Sequence, residues 1–261
     1  DEVNKNVAVD VAVLGNCKET VAAVTEMLDP AERPAWREAF RPYDEREDTL
    51  VIQPEIHPAS GPIRMGEVAR KVSEHTNHEA ILVTDVGQNQ MLSARYFKFS
   101  RPPSIVTSGG MGTMGFGLPA AIGATFGAPD RTVCLILGDG GFQMTIEELG
   151  TIMEQGSPVK IILLNNNYLG NVRQWQELFF TRRYSFTPMM NPDYEKIADA
   201  YGIPSATVTE REQLDEAIDT MLATPGAYLL QVAVISEGEV LPMCCPGCDV
   251  DDMLLEIKKE Y

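Results

Sequence analysis

The chain has 261 residues, 44% of them hydrophobic, enough to bury one large α/β core or one such domain with part of another. Its 38 acidic and 21 basic residues give a net charge of -17, which repels polyanions and makes nucleic acid and anionic membrane surfaces poor partners. No apolar run approaches the roughly 20 residues of a membrane span. The opening Asp1-Glu2-Val3-Asn4-Lys5 is neither a secretory leader nor a natural start, so the expectation is a cytoplasmic protein cut from a longer chain.

In chain order, Val7 to Gly15 reads as a strand, and Cys17 to Leu28 reads as an amphipathic helix with Val21, Val24 and Leu28 on one side. These two elements cannot bury a core alone, so residues 1–28 are expected to be the remnant of a preceding domain. Residues 29–62 carry Pro30, Pro34, Pro42, Pro54 and Pro58 around an acidic and basic run, the composition of an interdomain linker. The main α/β domain then occupies 63–235. It opens with a helix presenting Met65, Val68, Ala69 and Val72, followed by the strand Ala80–Thr84 and a polar turn, Asp85-Val86-Gly87-Gln88-Asn89.

A short strand, Ser104–Thr107, leads into a glycine cluster at 109–117. Gly110, Gly112 and Gly115 satisfy the letters of a dinucleotide fingerprint, with Asp130 near the place of a ribose-binding acid, so a nucleotide site stays open as an alternative. The strand Thr132–Leu137 is too apolar to have a wet face. It ends at Gly138-Asp139-Gly140-Gly141, and the helix expected from Thr145-Ile146-Glu147-Glu148 has a capping-box start. Gly156 and Pro158 close that helix, and a second apolar strand, Val159–Leu164, stops at Asn165-Asn166-Asn167. A crossover makes the two strands parallel and sets Asp139 and Asn166 at one sheet edge, facing one crevice. A carboxylate, a carboxamide oxygen and a nearby carbonyl form a partial hard-oxygen shell suited to magnesium when phosphate oxygens complete it. Asp and Asn are also favoured at ordinary strand-end turns, so both readings stand at this point.

Further on come a helix opened by Asn191-Pro192 and closed by Gly202, a short strand at Ala206–Val208, a helix with Leu214, Ile218, Met221 and Leu222, and the strand Tyr228–Val234. Apolar strands alternating with helices imply an α/β fold, a doubly wound parallel sheet with helices on both faces. The tail, 236–261, carries Cys244, Cys245 and Cys248. Zinc would want a second pair, so the plainer expectation is a loop of free thiols, with redox chemistry as the alternative.

The Gly138-Asp139-Gly140 start and the Asn165-Asn166 end, with Asn166 following Asp139 by 27 positions, resemble the thiamine diphosphate signature of the pyruvate-decarboxylating enzymes. The segments 85–91, 109–123, 138–148, 165–180 and 240–243 narrow that resemblance to the acetolactate (acetohydroxyacid) synthase family, catalytic subunit. The resemblance implies that Asp139 and Asn166 hold Mg2+ with the backbone carbonyl of Tyr168. It implies that Gln88, Asn89 and backbone around Gly138, Gly140, Gly141, Leu169 and Gly170 meet the diphosphate. Gly112 would offer its carbonyl to the aminopyrimidine, and Met114 would prop the cofactor in its bent form. Asn171 stands beside the thiazolium where many relatives carry methionine, and Asn89 stands where some carry histidine. Trp175 matches the tryptophan associated with 2-ketobutyrate as second substrate.

The activity implied is decarboxylation of pyruvate and condensation of the hydroxyethyl unit with pyruvate or 2-ketobutyrate, in branched-chain amino acid biosynthesis. FAD in the full-length parent, a homodimer or tetramer and a regulatory small subunit come with the family. The glutamate that activates the cofactor belongs to an N-terminal domain, so no catalytic side chain is expected on this chain, and the piece alone should not turn over. Alternatives are a related thiamine diphosphate-dependent decarboxylase or oxidase, and a stand-alone cofactor-binding module.

Overall fold

A computed structural model describes residues 2–249 and 252–257 and divides the chain into two units, residues 1–45 and 46–261. In the first unit, helix α1 (Cys17–Glu26) is capped by Asn16, whose side chain accepts from the Lys18 N–H, and α2 (Pro34–Glu38) sets Trp36 edge-on to Phe40 at 4.7 Å. The expected strand at Val7–Gly15 does not form, and all nine residues are exposed. A strand is stabilised through its ladder and a buried face, and within this unit the segment has neither.

The proline-rich stretch is helical rather than open. Helix α3 (Arg41–Glu47), a π-helical turn (Asp48–Ile52) and α4 (Gln53–Ile56) run through it, and Val51 and Ile56 are buried. Pro34 and Pro42 each sit in the first turn of a helix, where a missing N–H costs nothing and the fixed φ favours initiation, and Pro54 sits in the first turn of α4 directly after the π-helical turn.

The second unit is built on six parallel strands in the order β2-β1-β3-β4-β6-β5: β1 (Ile81–Thr84), β2 (Ile105–Val106), β3 (Val133–Gly138), β4 (Lys160–Asn165), β5 (Ser205–Val208) and β6 (Tyr228–Ala233). Successive residues feed opposite cores. Leu82, Ile136, Ile162 and Leu230 pack under α5 (Met65–His75), α6 (Gln88–Tyr96) and α12 (Leu214–Ala223). Val83, Leu135, Ile161 and Leu229 pack under α7 (Gly117–Gly127), α9 (Leu149–Gln155) and α11 (Tyr194–Ala200). This two-sided burial explains why the strands lack a polar face, and the doubly wound α/β expectation is met.

Between β3 and β4 the sequence reading missed one element. Asp139 is the first residue of a short helix, α8 (Asp139–Met144), and a 3-10 turn (Ile146–Glu148) precedes α9. Thr145 does not cap. Its hydroxyl donates instead to Gly115 O, 3.0 Å away, fastening the glycine cluster to this connection. Gly156 ends α9 in the left-handed region as expected. Met243–Cys244 and Met253–Leu254 form a small antiparallel pair, β7 and β8, while tail residues 250, 251 and 258–261 and residue 1 lie outside the described residues. Among the described residues no helix is long and apolar enough to cross a membrane.

Candidate functional site

Strand order reverses around β1: β2 flanks it on one side and β3 on the other, so the C-terminal ends of β1 and β3 diverge and leave a crevice. The crevice holds about 520 Å³ of open space. Its walls are Val86, Gly87, Gln88 and Asn89 after β1, Gly138 to Gly141 after β3, Asn166 and Tyr168 to Val172 after β4, with Met65 and Met114. Twelve of the residues singled out from sequence therefore meet there. Gly112 and Trp175 are not in the lining. Gly112 adopts φ +59 in a turn closed by its N–H to Ser108 O, and a Cβ on it would stand 4.0 Å from the lining residue Val86. Trp175 lies on α10 (Gly170–Phe179), exposed and edge-on to Phe179 at 5.0 Å.

Three segments whose bracing role the sequence did not signal hold these walls in place. Asp85, fully buried, accepts from the N–H groups of Val86 (2.8 Å) and Gly115 (3.2 Å) through Oδ1 and from Gly117 (2.8 Å) through Oδ2, pinning the glycine cluster beneath β1. Gly141 makes room for that carboxylate, since a Cβ there would lie 2.2 Å from Asp85 Oδ1. On the far side, the chain at 187–191 braces the strand-end turn: Leu169 N–H donates to Thr187 O and Met189 N–H to Asn167 O.

Asn191 completes that brace. Its Nδ2 donates to Asp139 Oδ2 (2.7 Å), Asn165 Oδ1 (2.9 Å) and Asn167 Oδ1 (3.2 Å), and its Oδ1 accepts from Gln143 Nε2 (2.8 Å) and the Tyr194 hydroxyl (3.1 Å). Asn191-Pro192 reads locally as a helix opener, but the side chain that caps α11 is Asp193. Nothing local in the sequence signals a contact 52 positions away.

The third clamp holds the C-terminal segment. Gln174 is buried; it accepts from Val240 N–H and donates to Val240 O, while buried Arg173 donates to Gly238 O and pairs with Glu177 at 2.6 Å. Gln88 Nε2 joins this clamp, donating to Gln174 Oε1 (3.0 Å) and Gly238 O (2.8 Å). Because a carbonyl can only accept, this fixes which end of the Gln88 amide faces the other way.

The electrostatics of the crevice follow. Burial pushes the Asp139 carboxyl above its ordinary range, opposed by the donors from Asn191, Gly140 and Asn167. Burial also pushes the Tyr194 phenol up to about 12, so it stays a neutral donor. Asp139 Oδ2 takes two donors, Asn191 and Asn167 N–H, whereas Oδ1 takes only the Gly140 N–H and is the freer oxygen. Asn166 Oδ1 accepts from Tyr168 N–H at 3.1 Å. Gln88 Oε1 and Asn89 Oδ1, both buried, have no hydrogen-bond partner among the described residues. Buried acceptors cost free energy until something supplies positive charge or protons to them. At the same edge, the first turns of α6 and α10 carry N–H groups without intrahelical partners, a setting for anionic oxygen. Acceptors beside helix N-termini fit a hydrated cation carrying a phosphate, and that donor set accommodates Mg2+ with a diphosphate.

The sequence matches the family described as "Thiamine pyrophosphate enzyme, C-terminal TPP binding domain" over residues 85–232. It is 38% identical over 252 residues to acetolactate synthase isozyme 2 large subunit of Escherichia coli (strain K12), covering 94% of this chain and 46% of that protein. It is 36% identical over 253 residues to the mitochondrial acetolactate synthase catalytic subunit of Saccharomyces cerevisiae, covering 97% of this chain and 37% of that one. The chain thus spans less than half the length of these relatives. Among solved structures, benzoylformate decarboxylase from Polynucleobacter necessarius superposes with a TM-score of 0.64 at 26% identity, over 70% of this chain and 35% of that one.

Proposed function

The chain belongs to the thiamine pyrophosphate enzymes, matching their C-terminal TPP-binding domain, and from that membership we propose that it is the cofactor-holding part of an acetolactate synthase. The full-length protein would decarboxylate pyruvate and condense the two-carbon unit with a second 2-keto acid, pyruvate or 2-ketobutyrate, in branched-chain amino acid biosynthesis. The observation that carries the reading is the convergence of Asp139, Asn166 and Tyr168 with the unpartnered amide oxygens of Gln88 and Asn89 in one strand-end crevice.

In this reading Asp139, through its freer Oδ1, Asn166 Oδ1 and the Tyr168 carbonyl hold Mg2+. Backbone N–H groups at the starts of α6 and α10 take the diphosphate, and Gln88 and Asn89 accept from the metal's water ligands or the phosphate's protons. Met114 fills the wall opposite Leu169, where both approach Gly140, and supports the cofactor's bend. When bound, thiamine diphosphate supplies the carbon nucleophile that adds to a 2-keto acid carbonyl and takes up the electrons left when carbon dioxide departs. Asn171 faces the crevice and Trp175 follows it by four positions on the same side of α10, which supports a role for this helix face in selecting the second substrate. FAD, assembly into a dimer or tetramer, a regulatory subunit and a cytoplasmic location complete the proposal for the parent. The activating glutamate of the family is assigned to no residue of this chain, so the crevice residues are given cofactor holding and no catalytic role.

Calorimetry on the full-length protein tests the metal assignment: Asp139→Ala should abolish Mg2+-dependent thiamine diphosphate binding, and undiminished affinity would refute it. Assay on pyruvate separates the activities. Acetolactate is the expected product; acetaldehyde or acetyl phosphate without acetolactate would favour the decarboxylase or oxidase reading, for which the structural likeness to a decarboxylase speaks.

A further inference from the structure

The cysteines of the tail are not absorbed by the crevice. Cys245-Pro246-Gly247-Cys248 forms a tight turn closed by the Cys248 N–H to Cys245 O, 3.1 Å, with Gly247 at φ +83. Proline at the second position and a left-handed glycine at the third mark a type II turn, which holds its end residues within about 7 Å between Cα atoms, the span a disulfide bridges. Cys248 is exposed and Cys245 half-buried; both are free thiols. Cys244 is engaged differently, its Sγ lying 3.6 Å from Asp249 O, 3.8 Å from Cys245 O and 3.9 Å from Cys248 O, inside the turn's carbonyls. Among the described residues no three His, Cys, Asp or Glu side chains are grouped so as to hold a metal ion.

We infer that Cys245 and Cys248 are a reversible thiol–disulfide pair whose oxidant is a low-molecular-weight disulfide. The exposed Cys248 thiolate attacks one sulfur of the small disulfide, forming a mixed disulfide and releasing one small thiol. Cys245 then attacks Cys248 Sγ, expelling the second small thiol and closing the Cys245–Cys248 bond. Two protein thiols are oxidised and one disulfide is reduced to two thiols, so electrons and protons balance. The turn keeps the second thiol beside the first, so ring closure outpaces attack by a free small thiol. Burial, with the neighbouring Cys248 thiol, raises Cys245 above an ordinary thiol, consistent with Cys248 as the attacking partner.

The test uses the full chain in a Cys17→Ser background, treated with oxidised glutathione and mapped by peptide mass spectrometry. The expected result is the loss of two free thiols, a linked Cys245–Cys248 peptide without retained glutathione, and full reversal by dithiothreitol. Cys245→Ser should instead trap glutathione on Cys248, and Cys244→Ser should leave the linked peptide unchanged. A lasting glutathione adduct on Cys248 of the unsubstituted pair, a bond to Cys244, or a disulfide between chains would each overturn the assignment.

Discussion

Replacing Asn191 by leucine keeps the volume and removes a single donor group that touches Asp139, Asn165 and Asn167. A hydrogen bond to a charged partner contributes about 1.5–3 kcal/mol, and here it opposes the burial that already lifts the Asp139 carboxyl. Losing it leaves Oδ2 with the Asn167 N–H alone and frees the carboxylate to rotate away from its crevice-facing geometry. At 1.4 kcal/mol per decade, that loss predicts metal-dependent cofactor binding weaker by about 10–100-fold, the range typical of residues that orient a ligand from behind. Gln143 Nε2 and the Tyr194 hydroxyl already lie 3.2 Å apart and can pair without Asn191, so the fold itself should lose less. Calorimetric titration of thiamine diphosphate at fixed Mg2+, a Mn2+ titration by spin resonance, and thermal unfolding without metal separate the two effects. Asn191→Asp sharpens the test, because it sets a second carboxylate against Asp139 Oδ2 and should weaken Mn2+ binding at least as much. Parent-like metal affinity in folded Asn191→Leu would refute the reasoning.

Asp85→Ala leaves two buried N–H groups, of Gly115 and Gly117, and the part-buried one of Val86 without an acceptor, at about 1–3 kcal/mol for each buried group, so stability should fall by at least about 2 kcal/mol in denaturant titration, and proteolysis should begin within residues 108–116. Gly141→Ala drives a methyl group into the same carboxylate and should produce the same pattern; a double variant whose losses simply add would contradict the shared cause. Burial raises the Glu55 carboxyl despite the Gly66 N–H and Arg64, so its contribution to stability is present below the unfolded value and lost as pH rises through the folded one. Glu55→Gln keeps an acceptor for Gly66 and should therefore raise the melting temperature near pH 7, the gap closing as pH falls toward 4.5; a gap that widens on acidification would rule this out.

The sheet was legible because its strands are buried on both sides, so that Leu82 and Val83, or Leu135 and Ile136, serve opposite cores and leave an unbroken apolar run. The same signal misled at Val7–Gly15, a nearly unbroken apolar run that finds no partner strand among the described residues. Prolines misled in the other direction: read as breakers, they stand in the first turns of helices at Pro34, Pro42 and Pro54. Asp139 and Asn166 could be placed at one edge from local sequence because each directly ends a strand. Asn191 could not. Its Asn-Pro dipeptide has a sufficient local explanation, and its contacts to Asp139 and Asn165 depend on the brace at 187–191 folding back over the turn after β4.

Each wall of the crevice is held by a different device, and this decides which perturbations should separate. Asp85 ties the turn after β1 to the glycine cluster by three backbone donors, a contact that serves position, and Asp85 itself is not part of the crevice lining. Asn191 fixes the strand-end turn after β4 through the side-chain oxygens of Asp139, Asn165 and Asn167, so its loss acts on the geometry of Asp139 more than on the backbone. Gln174 fixes the tail and, together with Gly238 O, consumes the Gln88 amide nitrogen, which leaves the Gln88 oxygen as the free acceptor. Gln174→Leu removes one acceptor of that nitrogen and unfastens Val240, so the segment carrying Gly238 O can draw away and the Gln88 amide can turn to present its nitrogen, converting an acceptor into a donor. A donor suits bare phosphate oxygen and opposes metal-bound water, so the variant should lose Mg2+ dependence of cofactor binding more than affinity measured at saturating metal. An equal loss at low and saturating Mg2+ would show that Gln174 acts only by holding the tail.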